Sequence, residues 1–192
     1  MFFKAPSKNE TIYHLPGLGG QLKTGLGKGL LQRGYGLKGR EMIGAFNRLK
    51  FGEQVELIKT DLLDEFWHPE AKLIATSRGA YLFLHAQSQL KPFPGRVLLL
   101  SPVLGEARHP VTGMQFASLG SAVLKEAAQA GTFLPPRRIE VHVGADDWQA
   151  GPQQLVDFCN RLGIEIHVAP GRGHTLGVDY VSALLDRWLG EA

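Results

Sequence analysis

The sequence predicts an α/β fold, a three-layer sandwich in which a mostly parallel central sheet of about six strands lies between two layers of helices. Short apolar runs rich in β-branched residues alternate along the chain with stretches of helical periodicity. These apolar runs are nearly continuous, as expected of strands that are buried on both faces. Strands that alternate with helices form parallel βαβ units, so we expect helices on both sides of the sheet.

The predicted strands are short and end in turn residues. In chain order they span residues 11–15, 35–41 (the weakest), 72–77, 96–104, 138–145 and 164–170. Helices are predicted over residues 47–67, 79–90, 117–130, 153–162 and 178–189. No repeat, low-complexity tract or linker divides the chain, which we interpret as a single domain over residues 1–192.

Composition excludes several function classes. Of the 192 residues, 44% are hydrophobic and 20% are charged, which is typical of a globular protein with a sizeable core. No apolar run approaches the ~20 residues of a membrane span, and the N-terminus lacks the apolar stretch of a secretory signal. The basic residues behind the net charge of +3 are scattered, so we expect no nucleic-acid partner. A single cysteine, Cys159, excludes an internal disulfide and favours a cytoplasmic protein.

Two glycine-rich runs resemble nucleotide-binding motifs without meeting their requirements. The run from Gly17 ends on Lys23-Thr24, as in a phosphate-binding loop, but Leu22 stands where that loop needs a glycine. The run 34–39, Gly-Tyr-Gly-Leu-Lys-Gly, matches the dinucleotide fingerprint, yet it follows a helix and precedes a strand, the reverse of the required order. Nucleotide binding is therefore a minor alternative.

The strongest strand is followed by a serine. Ligand sites of parallel sheets lie at the carboxyl ends of the strands, and Ser77 stands at such an end, directly before an apolar helix. Ala75 and Gly79 are small, as a sharp strand-to-helix turn (a nucleophile elbow) requires. A second Ser-x-Gly, at Ser118, has Phe116 two residues earlier and no apolar strand before it. The alternative for Ser77 is a helix N-cap.

An acid and a histidine follow two later strands. Asp146 and Asp147 come after strand 138–145, where an acidic pair is by itself more typical of a solvated turn. His174 follows Gly173 in the loop after the last strand, where it has no core to pack in. The other six histidines share no ligand spacing and are interpreted as ordinary packed or exposed side chains, so we predict no metal site.

A serine, an acid and a histidine in this order, each at the end of a separate strand, resemble the α/β-hydrolase superfamily. The resemblance covers nearly the whole chain, from the first strand to the terminal helix. It implies that Ser77 is the nucleophile, that His174 is the base and that Asp147 is the acid. The choice of Asp147 rests on its spacing from Gly144, and Asp146 is the reserve candidate.

The same resemblance gives the first glycine-rich loop a role. In this superfamily the loop after the first central strand turns a backbone N–H toward the developing oxyanion, which implies an oxyanion hole formed by the amides of Leu18 and Arg78. The frequent family pattern here is His-Gly, whereas this chain has Pro16-Gly17. Because the donors are backbone groups, the missing histidine side chain does not remove them.

The expected function is that of a serine esterase or thioesterase that acts on a small-molecule acyl substrate, forms an acyl-enzyme and needs no cofactor. A catalytically silent hydrolase-fold binding protein is the main alternative. The connection 105–137 must also supply a helix, so it is too short for a separate cap domain. We therefore expect an open, shallow site with Met114, Phe116 and Trp148 as apolar contacts and a preference for acyl groups of about two to six carbons.

Overall fold

A computed structural model describes residues 10–190 of the chain and confirms the predicted fold class. The strands are β1 (Thr11–Leu15), β2 (Gly36–Gly39), β3 (Lys72–Thr76), β4 (Arg96–Leu100), β5 (Glu106–Arg108), β6 (Gln115–Ala117), β7 (Arg138–Gly144) and β8 (Glu165–Ala169). Six of them form one sheet in the order β2-β1-β3-β4-β7-β8, with every neighbouring pair parallel. β5 and β6 form a separate antiparallel hairpin.

The helices are α1 (Gly25–Gln32), α2 (Gly44–Arg48), α3 (Phe51–Asp61), α4 (Arg78–Gln87), α5 (Ser121–Gln129), α6 (Pro152–Leu162) and α7 (Val178–Gly190). A π-helical turn, Leu62–Phe66, continues α3. Within residues 10–190 no helix combines the length and the apolar content that crossing a membrane requires. The N-terminal residues that were inspected for a secretory signal lie outside this range.

Two apolar cores cover the two faces of the sheet. Alternating strand residues divide between them, so that Leu73 packs in one core and its neighbour Ile74 in the other. The larger core takes side chains from α2 to α6, and the smaller one takes them from α1 and α7. Burial on both faces explains why the strand sequences are continuously apolar.

Three predicted boundaries are wrong. The helix predicted over 47–67 is two helices, because the backbone is extended at Leu49 and Lys50, between α2 and α3. The strand predicted over 96–104 ends at Leu100, since Ser101 adopts a positive φ of 45° that no strand tolerates. The helix predicted from residue 117 begins at Ser121, because residues 115–117 pair in the hairpin instead.

Candidate active site

Ser77 stands on a strained turn between β3 and α4. Its backbone has φ 48° and ψ −115°, a conformation rarely adopted by residues other than glycine, and its amide donates to the Leu100 carbonyl at 2.9 Å. Ser77 occupies the N-cap position of α4, yet its hydroxyl caps no amide in the described part of the chain. The N-cap interpretation therefore accounts for the position of Ser77 but not for its side chain.

Gly79 explains how the turn lies so close to β1. A Cβ atom at this residue would come within 2.3 Å of the Leu15 carbonyl oxygen and 2.5 Å of the Pro16 carbonyl oxygen. Only glycine lets the first turn of α4 pack against the end of β1. This close approach also brings the glycine-rich loop to the serine, since a Cβ on Gly17 would lie 3.4 Å from Ser77 Cβ.

The three predicted side chains form one continuous hydrogen-bonded chain. Ser77 Oγ lies 2.8 Å from His174 Nε2, although the two residues are 97 positions apart in the sequence. On the other side of the ring, His174 Nδ1 lies 2.8 Å from Asp147 Oδ2 and 2.9 Å from Oδ1. With the carboxylate ionised, Nδ1–H donates to Asp147 and the Nε2 lone pair faces the serine hydroxyl.

Asp147, rather than Asp146, meets the histidine. The Asp147 side chain is fully buried, and its Oδ1 also accepts hydrogen bonds from the amides of Gln149 at 3.1 Å and Ala150 at 3.0 Å. These donors and the imidazole satisfy a buried carboxylate that would otherwise be costly to desolvate. Asp146 is exposed at the surface.

The loop with Asp147 and the loop with His174 are tied together through their backbones. Ala145 N donates to the Ala169 carbonyl and Asp146 N to the Arg172 carbonyl, both at 2.9 Å. The acid and the histidine are therefore held in register by main-chain hydrogen bonds as well as by their side chains.

The glycine-rich loop is also fixed. Gly20 N donates to the Gly17 carbonyl at 2.9 Å, which closes a turn with Leu18 at its exposed tip. Met42 holds this turn in place by accepting from Gly19 N at 3.2 Å and donating to the Gly20 carbonyl at 2.9 Å. Arg78 is the first residue of α4, where helix geometry leaves the amide without an acceptor inside the helix.

Comparison with known proteins identifies the architecture. The sequence matches no protein-family model and no curated protein. The fold, however, is similar to several solved structures. One is a monoacylglycerol lipase from Paleococcus ferrophilus, with TM-score 0.69, 15% identity and 93% coverage of each chain. Another is a predicted CIB-like hydrolase from Thermoplasma acidophilum, with TM-score 0.65, 12% identity and coverage of 97% of this chain and 88% of that one. The chain has the α/β-hydrolase fold.

A third similar structure is Est1E from Butyrivibrio proteoclasticus, with TM-score 0.63, 12% identity and coverage of 93% of this chain and 86% of that one. In this α/β-hydrolase fold, the loops after β3, β7 and β8 carry Ser77, Asp147 and His174, and the loop after β1 adjoins the serine.

The predicted apolar contacts lie in and beside the hairpin. Met114 is exposed there, and the Trp148 ring packs against His109 with ring centroids 4.8 Å apart. The hairpin therefore flanks the loop that carries Asp147. The Phe116 side chain lies outside what the structure describes. The role of all three residues as substrate contacts stays a prediction.

A cleft of about 460 Å³ adjoins His174 on the side of α1 and α7. Its lining is mainly apolar, with Leu26, Leu176 and Leu185 among the contributing side chains and Lys28 as a basic contributor. The described lining does not include Met114 or Trp148. The hydrolase fold thus offers a second apolar surface near the histidine that the sequence patterns did not indicate.

A second histidine cluster lies on β7 and β8. His142 pairs with His167 in the register of the two strands, and their rings stack with centroids 4.5 Å apart. His142 Nε2 lies 2.6 Å from Glu140 Oε1, and His142 Nδ1 lies 2.7 Å from the Tyr180 hydroxyl. Both histidines were predicted to be ordinary packed or exposed side chains. A signal that could have indicated the cluster is the spacing of Glu140 and His142, which are two residues apart and hence on one face of a strand.

Glu140, His142 and His167 could hold a metal ion by ligand type, since their ligand atoms lie within 4.8 Å of one another. Arg187, however, already donates to Glu140. Burial raises the pKa of Glu140, but the hydrogen bonds from Arg187 and His142 outweigh it and leave that pKa below its usual value. The carboxylate is therefore balanced by a cation from α7 without a metal ion.

Proposed function

We propose that this protein is a serine hydrolase that cleaves a small ester or thioester through an acyl-enzyme. The observation that carries the proposal is the continuous hydrogen-bonded chain from Ser77 Oγ through His174 to the buried Asp147 carboxylate. The structural similarity to a monoacylglycerol lipase and to a hydrolase supports the same class of reaction. The strained turn adds support, because backbone strain of this kind concentrates at functional sites.

The first half of the reaction forms the acyl-enzyme. His174 Nε2 accepts the hydroxyl proton as Ser77 Oγ attacks the carbonyl carbon of the substrate. Asp147 holds Nδ1–H, fixes the tautomer and stabilises the imidazolium that forms. His174 then gives the proton to the leaving oxygen or sulfur as the tetrahedral intermediate collapses, which leaves the acyl group esterified to Ser77.

The negative charge on the carbonyl oxygen needs donors that are in place before the reaction. We assign this role to the backbone amides of Leu18 and Arg78. Each donor of this kind is worth about 3–4 kcal/mol in comparable sites. The hydrogen bonds of Met42 with Gly19 and Gly20 fix the backbone of the loop that carries Leu18, so the loop need not be ordered during the reaction.

Hydrolysis of the acyl-enzyme repeats these steps with water. His174 removes a proton from a water molecule that attacks the acyl carbonyl, and it returns the proton to Ser77 Oγ as the acid leaves. No step in this scheme calls for a cofactor.

The test is labelling with a fluorophosphonate, which reacts with activated serines. Mass spectrometry of the labelled protein is expected to place the adduct on Ser77, and Ser77→Ala is expected to abolish labelling without loss of the folded circular-dichroism spectrum. Ser118→Ala is the matched control, because Ser118 also precedes x-Gly but lies in a loop. An adduct on Ser101 or Ser118, or a folded wild-type protein that never reacts, contradicts the proposal.

A series of para-nitrophenyl esters of increasing chain length tests the site of the acyl group. If the acyl group lies between the glycine-rich loop and the hairpin, kcat/KM peaks at about two to six carbons, because an open groove encloses few methylenes at ~0.8 kcal/mol each. A steady rise of kcat/KM out to long chains assigns the acyl group to the cleft beside α1 and α7 instead.

A further inference from the structure

The side chain of the residue after the proposed nucleophile has an unusual environment. Arg78 is half-buried, and its Nη2 donates to Gln54 Oε1 at 2.9 Å. Its Nε is buried and finds no acceptor within residues 10–190. A guanidinium has five N–H donors, so this one is left with unused donors on the residue that directly follows Ser77 in the sequence.

Four other arginines of the described residues lie against acids. The pairs are Arg33 with Asp186, Arg40 with Asp61, Arg172 with Asp179 and Arg187 with Glu140. Arg78 has no carboxylate within ion-pair distance in the described part of the chain, and its hydrogen-bond partner is a neutral amide. Burial lowers its pKa, and the opposing effect comes from the Tyr81 phenol rather than from a carboxylate. The cation thus bears a desolvation cost without a carboxylate to balance its charge.

The groups around Arg78 fix the guanidinium without neutralising it. Gln54 is fully buried, and because its Nε2 donates to the Phe46 carbonyl at 2.9 Å, its oxygen is turned toward Arg78. Tyr81, one turn further along α4, donates its hydroxyl to the Leu119 carbonyl at 2.7 Å. Burial raises the pKa of Tyr81 to about 12, so its phenol stays neutral. The environment presents a fixed, unpaired cation at the start of α4.

We propose that the Arg78 guanidinium binds a carboxylate of the substrate, so that the preferred substrates are esters or thioesters that carry a carboxylate. The inference rests on the proposed function, since it needs Ser77 as the reacting residue next to Arg78. Guanidinium and carboxylate match in a planar, two-bonded geometry, and hydrogen bonds between charged partners are about twice as strong as neutral ones. A carboxylate on the substrate also supplies the negative charge that Arg78 lacks among the described residues.

The experiment compares matched anionic and neutral esters. For a carboxylate on the acyl side, para-nitrophenyl hemiglutarate is paired with para-nitrophenyl pentanoate. For a carboxylate on the leaving group, the acetyl ester of para-hydroxybenzoate is paired with the acetyl ester of its methyl ester. In one of the two pairs, wild-type kcat/KM is expected to favour the anionic member by roughly tenfold or more, and the pair that shows the preference locates the carboxylate.

Arg78→Gln is expected to remove this preference, because it deletes the charge but leaves the backbone amide in place. Gln54→Glu is expected to do the same by giving Arg78 an internal carboxylate, with its thermal midpoint measured as a check on folding. Arg48→Gln is the matched control, since it removes an equal charge from an exposed position on α2. An equal anionic-to-neutral ratio in wild type and Arg78→Gln, or an equal fall of the ratio in Arg48→Gln, overturns the inference.

A binding measurement separates this inference from the proposed function. Calorimetry with glutarate is expected to show binding to wild-type and Ser77→Ala proteins that Arg78→Gln weakens by roughly tenfold. Arg78-dependent binding without hydrolysis or fluorophosphonate labelling overturns the hydrolase proposal alone. Labelling and hydrolysis with no dependence on Arg78 overturn the carboxylate site alone.

Discussion

Within residues 10–190, two hydrogen-bonded chains join a carboxylate, a histidine and a hydroxyl, and the proposed function assigns chemistry to one of them. In the first, Asp147, His174 and Ser77 are joined by contacts of 2.8 Å. In the second, Glu140 and Tyr180 flank His142 at 2.6 and 2.7 Å. The bonding pattern is nearly the same in both. What differs is the hydroxyl and the access to it.

Ser77 lies at a strand end beside the glycine-rich loop, and the His174 side chain is 21% exposed. Tyr180 lies on α7, burial raises its pKa, and the His142 side chain is 4% exposed. Because the His142 ring is buried and its hydroxyl partner is a helix phenol rather than a serine at a strand end, we expect no attack on a carbonyl group from this second chain. The comparison indicates that the hydrogen bonds alone do not make a hydroxyl a nucleophile. The hydroxyl must also be accessible to a substrate and lie near backbone N–H groups that stabilise the oxyanion.

The largest expected effect separates the two histidines. His174→Gln is expected to lower kcat by roughly 10⁴-fold or more, because it removes the base of the reaction. His142→Gln is expected to change kcat little and to lower the free energy of unfolding instead. Ester hydrolysis and urea denaturation of both variants provide the measurement, and a loss of kcat in His142→Gln comparable to that in His174→Gln would erase the distinction.

The next effect tests the acid. Asp147→Asn is expected to lower kcat by roughly 10³–10⁴-fold, since an amide keeps the shape of the side chain but favours the wrong tautomer of His174. Asp146→Asn is the matched control, because it makes the same change at an exposed neighbour. Measuring kcat for both variants decides which aspartate is the acid. A strongly lowered kcat in Asp146→Asn with a near-normal kcat in Asp147→Asn would reverse the assignment.

The second chain is expected to affect the pH dependence of stability rather than activity. Burial lowers the pKa of His142 despite the nearby Glu140, and it lowers the pKa of His85 to about 4. The unfolded chain therefore takes up protons first as the pH falls below about 6.5, and the free energy of unfolding declines with it. Each histidine contributes at most ~1.4 kcal/mol per pH unit.

Urea denaturation between pH 7 and pH 5 provides the check. His142→Gln is expected to give a shallower decline than wild type, and His85→Gln, which removes another buried ring, is expected to do so as well. An unchanged slope in His142→Gln would mean that the pKa of His142 is the same in the folded and the unfolded protein.

The smallest expected effect is on stability and comes from removing the Tyr180 hydroxyl. Tyr180→Phe removes the hydroxyl that faces His142 and is expected to cost about 1 kcal/mol of unfolding free energy, with kcat unchanged. Thermal and urea denaturation measure the first quantity and ester kinetics the second. A fall in kcat as large as that of Asp147→Asn would make Tyr180 part of the reacting chain.

Strand residues were predictable because burial on both faces leaves a continuous apolar pattern, and β1 has the predicted bounds of residues 11–15. The helix α1 was given no bounds, because its glycines disfavour helix formation. The structure supplies the reason for Gly27. A Cβ there would lie 1.9 Å from the Leu22 carbonyl oxygen, so packing of the loop against the helix outweighs propensity. The two hairpin strands have three residues each, which is too short for an alternating pattern of apolar and polar residues to be recognised.

Positions in the proposed site were predictable where the fold rule applies, because parallel strands end at one edge of a sheet and Ser77, Asp147 and His174 each follow a strand. The environment of Arg78 and the hydrogen-bonded chain through His142 could not be predicted from the sequence. Gln54 approaches Arg78 from α3, and Tyr180 approaches His142 of β7 from α7. No local sequence pattern indicates which side chains two packed elements will bring together.

The parallel sheet order also has a consequence for assembly. Ser77 comes from β3, near the middle of the sheet, whereas Asp147 and His174 follow β7 and β8 in the last third of the chain. A nascent or refolding chain can form the strained serine turn long before its base and acid arrive. Contacts of such long sequence separation form late, because loop-closure entropy must be overcome first. Recovery of esterase activity after dilution from denaturant would thus lag behind recovery of helical circular dichroism and report the docking of the final two strands.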